Sequence, residues 1–305
     1  MSKRDERDAA GRARDADGSG TEAQSSRTPV TEQVNPGTTD LDRIPTAVIL
    51  ERIVTEDAGV AAAVRAAIPD LERATDLLVS VLLEDGRWIN IGAGTSGRLG
   101  VLDAAELPPT FGLEPDRVVG LVAGGSPALK RSVEGAEDDG AAARAALREC
   151  GLCSCDALLA ISASGRTPYT LAALERAREV GAQSIALTCD PDSPMPALAD
   201  VGLVVEVGPE VIAGSTRMKA GVAQKMALHA LSTAVMVRMG RVRGNLMSEM
   251  RAVNAKLRRR GIRIVARLAR VPESEAAQAL AAAQGSVPEA LEQLGVPRRG
   301  YATRS

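Results

Sequence analysis

The sequence has few aromatic residues and a single histidine, and these shortages exclude several classes of function. Among its 305 residues are one Phe, one Trp and two Tyr, too few for the stacking platforms that bind nucleic-acid bases. The one histidine, His229, leaves no basis for a histidine-rich metal site and little room for a Ser-His-Asp triad. The core is therefore expected to be aliphatic, built from Ala, Val, Leu and Ile.

A charge imbalance, long apolar runs and paired cysteine motifs are also missing. The 37 basic and 39 acidic residues give a net charge of −2, so the overall charge gives no reason to expect binding to nucleic acid or an anionic membrane. No secretory signal and no run of 18 apolar residues occur, and we expect a soluble, cytoplasmic protein. The cysteines at 150, 153, 155 and 189 lack a second CxxC motif, which favours reduced, inert thiols and no metal site.

Composition divides the chain into three parts. Residues 1–30 are rich in charge and poor in large apolar side chains, which predicts a disordered tail. Residues 31–245 are expected to form the main domain, which begins with helices. Residues 246–305 are expected to form a helical C-terminal region, with its first helix near residues 246–269. It contains eight basic residues and no acid between Arg251 and Arg270, and we interpret this stretch as a solvated or subunit-facing helix.

Short apolar segments alternate with helical ones in the main domain. Five of them are about five residues long and apolar on both faces, as buried parallel strands are; they are residues 88–91, 118–122, 157–161, 184–187 and 203–207. This alternation predicts an α/β fold, a doubly wound sheet of about five parallel strands flanked by helices. Residues 218–239 are apolar nearly all round and should form a helix buried against the sheet or another subunit.

Glycine and hydroxyl residues cluster after three of the predicted strands. The segments are GAGTSGR at 92–98, SASGRTP at 162–168 and GSTRMK at 214–219. Ligands bind at the carboxyl edge of parallel sheets, and small residues let backbone N–H groups approach an anion closely. The three segments therefore predict a phosphate site. The first also has the GxGxxG spacing of a dinucleotide site, but the next strand ends in Ala-Gly-Gly and lacks the acid that would hold a ribose.

Two pairs of carboxylates follow these segments, each with a spacing of three residues. Asp103 and Glu106 lie in the predicted helix after the first segment, and Glu134 and Glu137 follow the second strand. This spacing places each pair on one helix face. Both pairs leave the same edge of the sheet, so they could converge on one ligand and divide acid and base roles. Spacing alone does not choose within either pair.

Taken together, these motifs resemble those of the N-acetylmuramic acid 6-phosphate etherases, which are sugar isomerase (SIS) domain proteins. The likeness begins near Thr31 and Glu32 and covers most of the chain. It runs in order through residues 92–100, 102–109, 134–138, 163–169 and 214–221. It implies cleavage of the D-lactyl ether of N-acetylmuramate 6-phosphate to N-acetylglucosamine 6-phosphate and D-lactate, by elimination of lactate and addition of water, in recycling of cell-wall sugar. It also implies that no metal or redox cofactor is needed and that the protein is a homodimer with the site near the interface.

The resemblance also implies roles for individual residues. Glu106 matches the acid glutamate of the family and Glu137 its second catalytic glutamate, so that Asp103 and Glu134 become supporting residues. The residues that match the sugar-phosphate loops, together with a neighbouring lysine, are Thr95, Ser96, Ser162, Ser164, Ser215, Thr216 and Lys219. The chain departs from the family pattern at His229, where Asn is common, and in a C-terminal region that is shorter than usual.

Two alternatives remain open at this stage. A non-catalytic phosphosugar-binding regulator could share the same architecture and loops, as a regulator of glucokinase in animals does. An aldose–ketose isomerase of the SIS type is the other alternative, because it also removes a proton from C2. Release of lactate would separate the etherase from the regulator, and a ketose phosphate product would indicate the isomerase.

Overall fold

The computed structural model describes residues 28–298, and its centre is a parallel sheet with the strand order β2-β1-β3-β4-β5. The strands are β1 (Trp88–Gly92), β2 (Val118–Val122), β3 (Ala157–Ile161), β4 (Gln183–Thr188) and β5 (Val201–Val204). Every residue of β1 and β3 is buried, as expected for strands covered on both faces. The predicted doubly wound α/β fold is confirmed.

The fifth strand is the one whose limits were predicted wrongly. It ends at Val204 and pairs only with β4, whereas the sequence predicted residues 203–207. Val205 lies one residue beyond the strand, but it is fully buried and its N–H group donates a 2.9 Å hydrogen bond to the Thr188 carbonyl oxygen. The apolar pattern therefore continues past the end of the strand, because it follows burial and not the limits of strand pairing.

The described residues include eleven α-helices, which cover the two faces of the sheet and form the C-terminal region. Their bounds are α1 (Thr46–Ala58), α2 (Val60–Ala66), α3 (Ile68–Leu83), α4 (Gly94–Phe111), α5 (Gly140–Glu149), α6 (Pro168–Val180), α7 (Met195–Leu198), α8 (Lys219–Arg238), α9 (Ala255–Ala269), α10 (Glu273–Ala282) and α11 (Val287–Gln293). Helices α2, α3, α4 and α8 share one apolar core with the sheet, and α5, α6 and α7 share the other. Among residues 28–298, no helix combines the length and the apolar character needed to cross a membrane.

Helix α8 is buried on one side within its own subunit. It packs against α2, α3 and α4, and its buried residues include Leu228, Leu231, Val235 and Met236. On its other side Val222 and Val237 are 38% and 45% exposed. Packing within the subunit therefore accounts for one side of this nearly uniformly apolar helix, and contact of the exposed side with another subunit stays a prediction.

Helix α1 differs from α8, because it carries apolar residues without burying any of them. None of its 13 residues is buried, and Val48, Leu50 and Val54 are 40%, 58% and 65% exposed. A run of exposed aliphatic side chains on one helix is typical of a surface that meets a partner.

The C-terminal region has an apolar core of its own. Residues of α9, α10 and α11 pack around Val265, Leu280 and Val287. Helix α9 begins at Ala255, where the Asn254 side chain accepts a hydrogen bond from the Leu257 N–H group. The helix expected near residue 246 therefore starts later, because a good N-cap residue ends the irregular stretch before it. Residues 1–27 of the predicted tail lie outside the described residues, and that expectation stays a prediction.

Candidate active site

A cleft of about 300 Å³ opens at the carboxyl edge of the sheet, where β1 and β3 end. These two strands are neighbours in the sheet, but the chain leaves them in opposite directions, towards β2 on one side and β4 on the other. Such a switch point is where parallel α/β sheets bind ligands, because the connections on either side separate and leave a crevice. All three glycine- and hydroxyl-rich segments contribute to its lining.

The first segment presents the start of helix α4 to the cleft. The first backbone bond of this helix runs from the Gly97 N–H group to the Ala93 carbonyl oxygen at 3.0 Å, and no side chain caps its N-terminus. The N–H groups of Gly94, Thr95 and Ser96 precede that bond and have no acceptor within the helix. Gly94, Thr95 and Ser96 line the cleft, and a helix start with free N–H groups has the donors and the dipole that suit an anion.

Close packing of strand against helix fixes the position of this helix start. A Cβ atom at Gly97 would lie 2.4 Å from the carbonyl oxygen of Gly92, well inside van der Waals contact. Ser96 adds a tether, because its hydroxyl donates a 3.0 Å hydrogen bond to Oε1 of Gln224 on α8. The absence of a side chain at Gly97 thus lets α4 start directly above the end of β1.

Hydroxyl groups of the second segment form a connected turn in the cleft. The Ser162 hydroxyl accepts a hydrogen bond from the Gly165 N–H group at 3.1 Å and lies 2.9 Å from the Thr167 hydroxyl. Ser164 accepts a hydrogen bond from the Arg166 N–H group at 3.3 Å. Ser162, Ser164, Arg166 and Thr167 line the cleft. Their orientation is held by the turn itself, so a ligand would meet groups that are already in place.

The third segment places Thr216 in the lining of the cleft but not Ser215 or Lys219. The Lys219 side chain is 6% exposed, and its Nζ atom lies 2.5 Å from Oε2 of Glu56 on α1. The sequence suggested Lys219 as a neighbour of the substrate's charge, but in the subunit its ammonium group is committed to an ion pair. This pair holds the pKa of Glu56 below its usual range.

A buried carboxylate fixes the start of α8 and so the end of the third segment. Both oxygens of Glu210 accept backbone hydrogen bonds at 2.9 Å, one from the N–H group of Lys219 and one from that of Ala220. Glu210 is fully buried, and desolvation raises its pKa although these two bonds oppose the effect. A carboxylate at a helix N-terminus also interacts favourably with the helix dipole.

The second carboxylate pair lies in a turn and not on a helix. Residues 134–138 form consecutive turns, and Gly135 has a φ of +71°, a left-handed conformation that interrupts any helix. The expectation that Glu134 and Glu137 share a helix face is therefore wrong. Glu137 still lines the main cleft, while both glutamates line an adjoining cavity of about 150 Å³.

The first carboxylate pair lies on α4, away from the cleft. Glu106 is exposed and stands 12 residues beyond Gly94, about 18 Å along the helix axis at 1.5 Å per residue. Among the described residues that line the cleft and the adjoining cavity, Glu106 does not occur. The convergence of the two carboxylate pairs on one ligand is therefore not found within a single subunit.

Asp103, by contrast, faces α8. Only 3% of it is exposed, and one of its oxygens accepts a 3.1 Å hydrogen bond from the Ser232 hydroxyl. Burial raises the pKa of Asp103 to about 6, although the Ser232 hydroxyl, Lys225 and His229 favour its charged form. Asp103 therefore helps to hold α4 against α8 through its hydrogen bond with Ser232.

Several cleft residues were not identified from the sequence. They are Glu32, Asp138, Arg166 and Thr167. Arg166 and Thr167 directly follow Ser164 in the second segment, and Asp138 follows Glu137, so the same motifs could have indicated them. Glu32 lies 60 residues before the first segment in the chain, and only the start of the family likeness near Thr31 and Glu32 pointed to it.

One group of potential metal-ligating side chains occurs in residues 28–298, at the opposite end of the sheet. It comprises Cys153, Cys155 and Asp156, just before β3. The structure joins the two cysteines in a disulfide, so the expectation of reduced thiols is wrong for this pair, and Cys150 and Cys189 are free. Asp156 is paired with Arg87, whose guanidinium lies 2.6 Å away. The donor atoms are thus engaged already, and they do not fit a metal site.

Family models match this chain over the whole sheet. A model described as the glucokinase regulatory protein N-terminal SIS domain matches residues 71–178, and the SIS domain model matches residues 151–234. Among solved structures, the phosphoheptose isomerase of Francisella tularensis is 22% identical and covers 65% of this chain and 99% of its own, with a TM-score of 0.46. The phosphoheptose isomerase of Neisseria gonorrhoeae is 20% identical and covers 61% and 98%, also with a TM-score of 0.46.

The switch-point cleft and the family models define the class: the protein is a SIS-domain protein. Its curated relatives are more specific. The N-acetylmuramic acid 6-phosphate etherase of Edwardsiella ictaluri is 49% identical over 84% of this chain and 85% of its own length, and that of Streptomyces avermitilis is 47% identical over 86% and 84%. The chain belongs to the N-acetylmuramic acid 6-phosphate etherase family.

Proposed function

We propose that the protein cleaves the D-lactyl ether of N-acetylmuramate 6-phosphate, releasing D-lactate and N-acetylglucosamine 6-phosphate. The observation that carries the proposal is the cleft at the β1/β3 switch point, where Glu137 lies beside three glycine- and hydroxyl-rich segments. The sequence identity of 46% to 50% to N-acetylmuramic acid 6-phosphate etherases, over more than four-fifths of the chain, supports this reaction.

The 6-phosphate is bound by the segments that offer N–H and hydroxyl donors. The start of α4 at Thr95 and Ser96 supplies backbone donors and the positive end of the helix dipole. Ser162, Ser164 and Thr216 supply hydroxyl groups from two other sides of the cleft. Hydrogen bonds to a charged group contribute about 1.5–3 kcal/mol each, so these donors account for selection of a phosphorylated sugar. Ser215 and Lys219 support this site through the loop and the helix that carry Thr216.

The reaction is a proton-assisted elimination followed by addition of water. Glu137 removes the C2 proton, which the open-chain aldehyde makes acidic, and the C3–O bond breaks as Glu106 protonates the departing lactate. Water then adds to C3 of the unsaturated aldehyde, and a proton returns to C2. Each acid–base contribution of this kind is worth about 10²–10⁴-fold in rate.

A homodimer would bring the two glutamates together. Glu106 lies far from the cleft of its own subunit on the exposed side of α4, and α1 exposes three aliphatic side chains. In an isologous dimer each subunit offers the same surface to the other. In the proposed arrangement the partner subunit supplies its acid glutamate to a cleft that already holds Glu137.

Mixed dimers test this arrangement. Glu106→Gln and Glu137→Gln should each be inactive alone, because both glutamates are needed. When the two variants are mixed and allowed to exchange subunits, half of the dimers pair one variant with the other, and each such dimer has one intact site of two. Activity should recover to about a quarter of that of the unmodified protein. No recovery in dimers proven to be mixed would mean that both glutamates act within one subunit.

Incubation with N-acetylmuramate 6-phosphate and detection of D-lactate tests the reaction itself. In D₂O, elimination should place deuterium at C2 of the sugar product, and in H₂¹⁸O the label should enter the C3 hydroxyl and leave lactate unlabelled. Direct attack of water on the lactyl carbon would label lactate and spare C2. Mass spectrometry of both products separates the two routes.

A second candidate is a phosphosugar-binding regulator without turnover. The match of residues 71–178 to the SIS domain of a glucokinase regulatory protein favours it, and binding of sugar phosphate without release of lactate would establish it. An isomerase of the SIS type would instead yield a ketose phosphate.

We further assign the reaction to recycling of cell-wall sugar in the cytoplasm, because a phosphorylated sugar is charged and does not pass through an apolar bilayer.

A further inference from the structure

The segment before α1 packs across the third glycine- and hydroxyl-rich segment. We refer to residues 30–38 as the N-terminal strap. Its Thr31 carbonyl oxygen accepts a 2.9 Å hydrogen bond from the Gly214 N–H group, and its Thr38 hydroxyl donates a 2.9 Å hydrogen bond to the Val211 carbonyl oxygen. Thr31 and Thr38 are both buried. The strap and the loop that carries Thr216 therefore form one packed unit.

Between these two anchors, Glu32 extends into the cleft. It lines the same cavity as Thr95, Ser162 and Thr216. A Cβ atom built on Gly214 would lie 2.7 Å from Oε2 of Glu32, and Gly214 has a φ of +76°. The glycine thus leaves the space that the carboxylate occupies, and a side chain at position 214 would displace it.

We infer that Glu32 binds substrate, accepting a hydrogen bond from an uncharged donor of the sugar, a hydroxyl or the acetamido N–H group. This inference rests on the proposed function, because it places a sugar phosphate in the cleft. An ionised carboxylate has only acceptor oxygens, and like charge keeps it away from a phosphate. Glu32 therefore orients the substrate, with the phosphate at the donor-rich loops and the neutral part of the sugar at the strap.

Two ligands distinguish this role from a structural one. N-acetylglucosamine 6-phosphate carries both the phosphate and the sugar donors, while inorganic phosphate carries only the anion. In the full chain, Glu32→Ala should weaken binding of the sugar phosphate by about tenfold to a hundredfold, the loss expected for a hydrogen bond to a charged group. Glu32→Gln keeps one acceptor oxygen and should lose less. Affinity for inorganic phosphate should stay the same or rise in both variants, because a negative charge has been removed.

Glu84→Gln is the matched control, since Glu84 is an exposed glutamate at the end of α3 that lies outside the cleft lining. It should change neither affinity, as measured by titration calorimetry. Equal losses for both ligands in the Glu32 variants would mean that Glu32 only supports the loop, and unchanged affinities would mean that it does not touch the sugar; either result overturns the inference. Absence of sugar-phosphate binding by the unmodified chain overturns it as well. None of these binding measurements requires turnover. A chain that binds the sugar phosphate but releases no lactate would therefore contradict the proposed function, and the measured affinities would still decide the role of Glu32.

Discussion

Replacing Gly97 by alanine should damage the cleft through a single methyl group. The added Cβ atom would lie 2.4 Å from the Gly92 carbonyl oxygen and 2.8 Å from a methyl group of Val122. To reach even 3.0 Å from that oxygen, the end of β1 and the start of α4 must separate by about 0.6 Å. The backbone of a buried strand does not yield easily, because protein interiors are close-packed.

Both stability and substrate binding should fall as a result. Overpacking of this kind costs about 1–3 kcal/mol of unfolding free energy, or a decrease in Tm of roughly 2–12 °C for a domain of this size. The same separation moves the N–H groups of Gly94, Thr95 and Ser96 relative to the phosphate. Loss of one hydrogen bond to a charged group would raise KM by about tenfold to a hundredfold.

Two other glycines provide controls. In Gly202→Ala in β5, the added Cβ atom would lie only 2.8 Å from Cβ of Pro196. This clash is at the far edge of the sheet, so it should lower Tm but leave KM unchanged. Gly59→Ala has only a 3.5 Å contact and ordinary right-handed backbone angles, and it should leave both quantities nearly unchanged or slightly raise Tm. Thermal unfolding and steady-state kinetics on all three variants provide the comparison. A Gly97→Ala variant with normal Tm and KM would refute the close-approach argument, and equal KM effects in Gly97→Ala and Gly202→Ala would refute its link to the phosphate.

Three further predictions concern the carboxylates and the dimer. Glu106→Gln and Glu137→Gln should each lower kcat by about 10²–10⁴-fold with Tm unchanged; nearly full activity in either variant would remove that residue from the mechanism. Burial raises the pKa of Asp103 to about 6, so its contribution to stability is complete below its unfolded pKa of 3.8 and is lost as the pH rises through 6. The free energy of unfolding should therefore fall by about 3 kcal/mol, as measured by urea unfolding of the unmodified protein between about pH 4 and pH 7. An equal fall in Asp103→Asn would show that titration of Asp103 is not its cause. Val54→Asp on exposed α1 should yield monomers in light scattering, because it places a charge in the proposed apolar interface; an unchanged dimer would assign the interface to another surface.

Local patterns were sufficient for most elements of the fold and for the place of the cleft. Strand β3 was predicted with its observed limits, because a run that is apolar on both faces has one stable environment, the middle of a sheet covered by helices. Once parallel strands alternate with helices, the residues that follow the strands must meet at one edge. That constraint brought Thr95, Ser162 and Thr216 to one cleft without knowledge of any contact between them.

Only the tertiary structure decided where the charged side chains go. Lys219 forms an ion pair with Glu56, 163 residues away in the chain, and Glu32 reaches the cleft across Gly214 after a comparable separation. Glu106 lies outside the site of its own subunit, because α4 extends away from the cleft and places this residue about 18 Å along the helix axis from Gly94. A spacing in sequence determines which face of a helix a residue occupies. The contacts of that face depend on how distant segments pack, and this packing is set by the summed burial of the whole core and not by any local pattern.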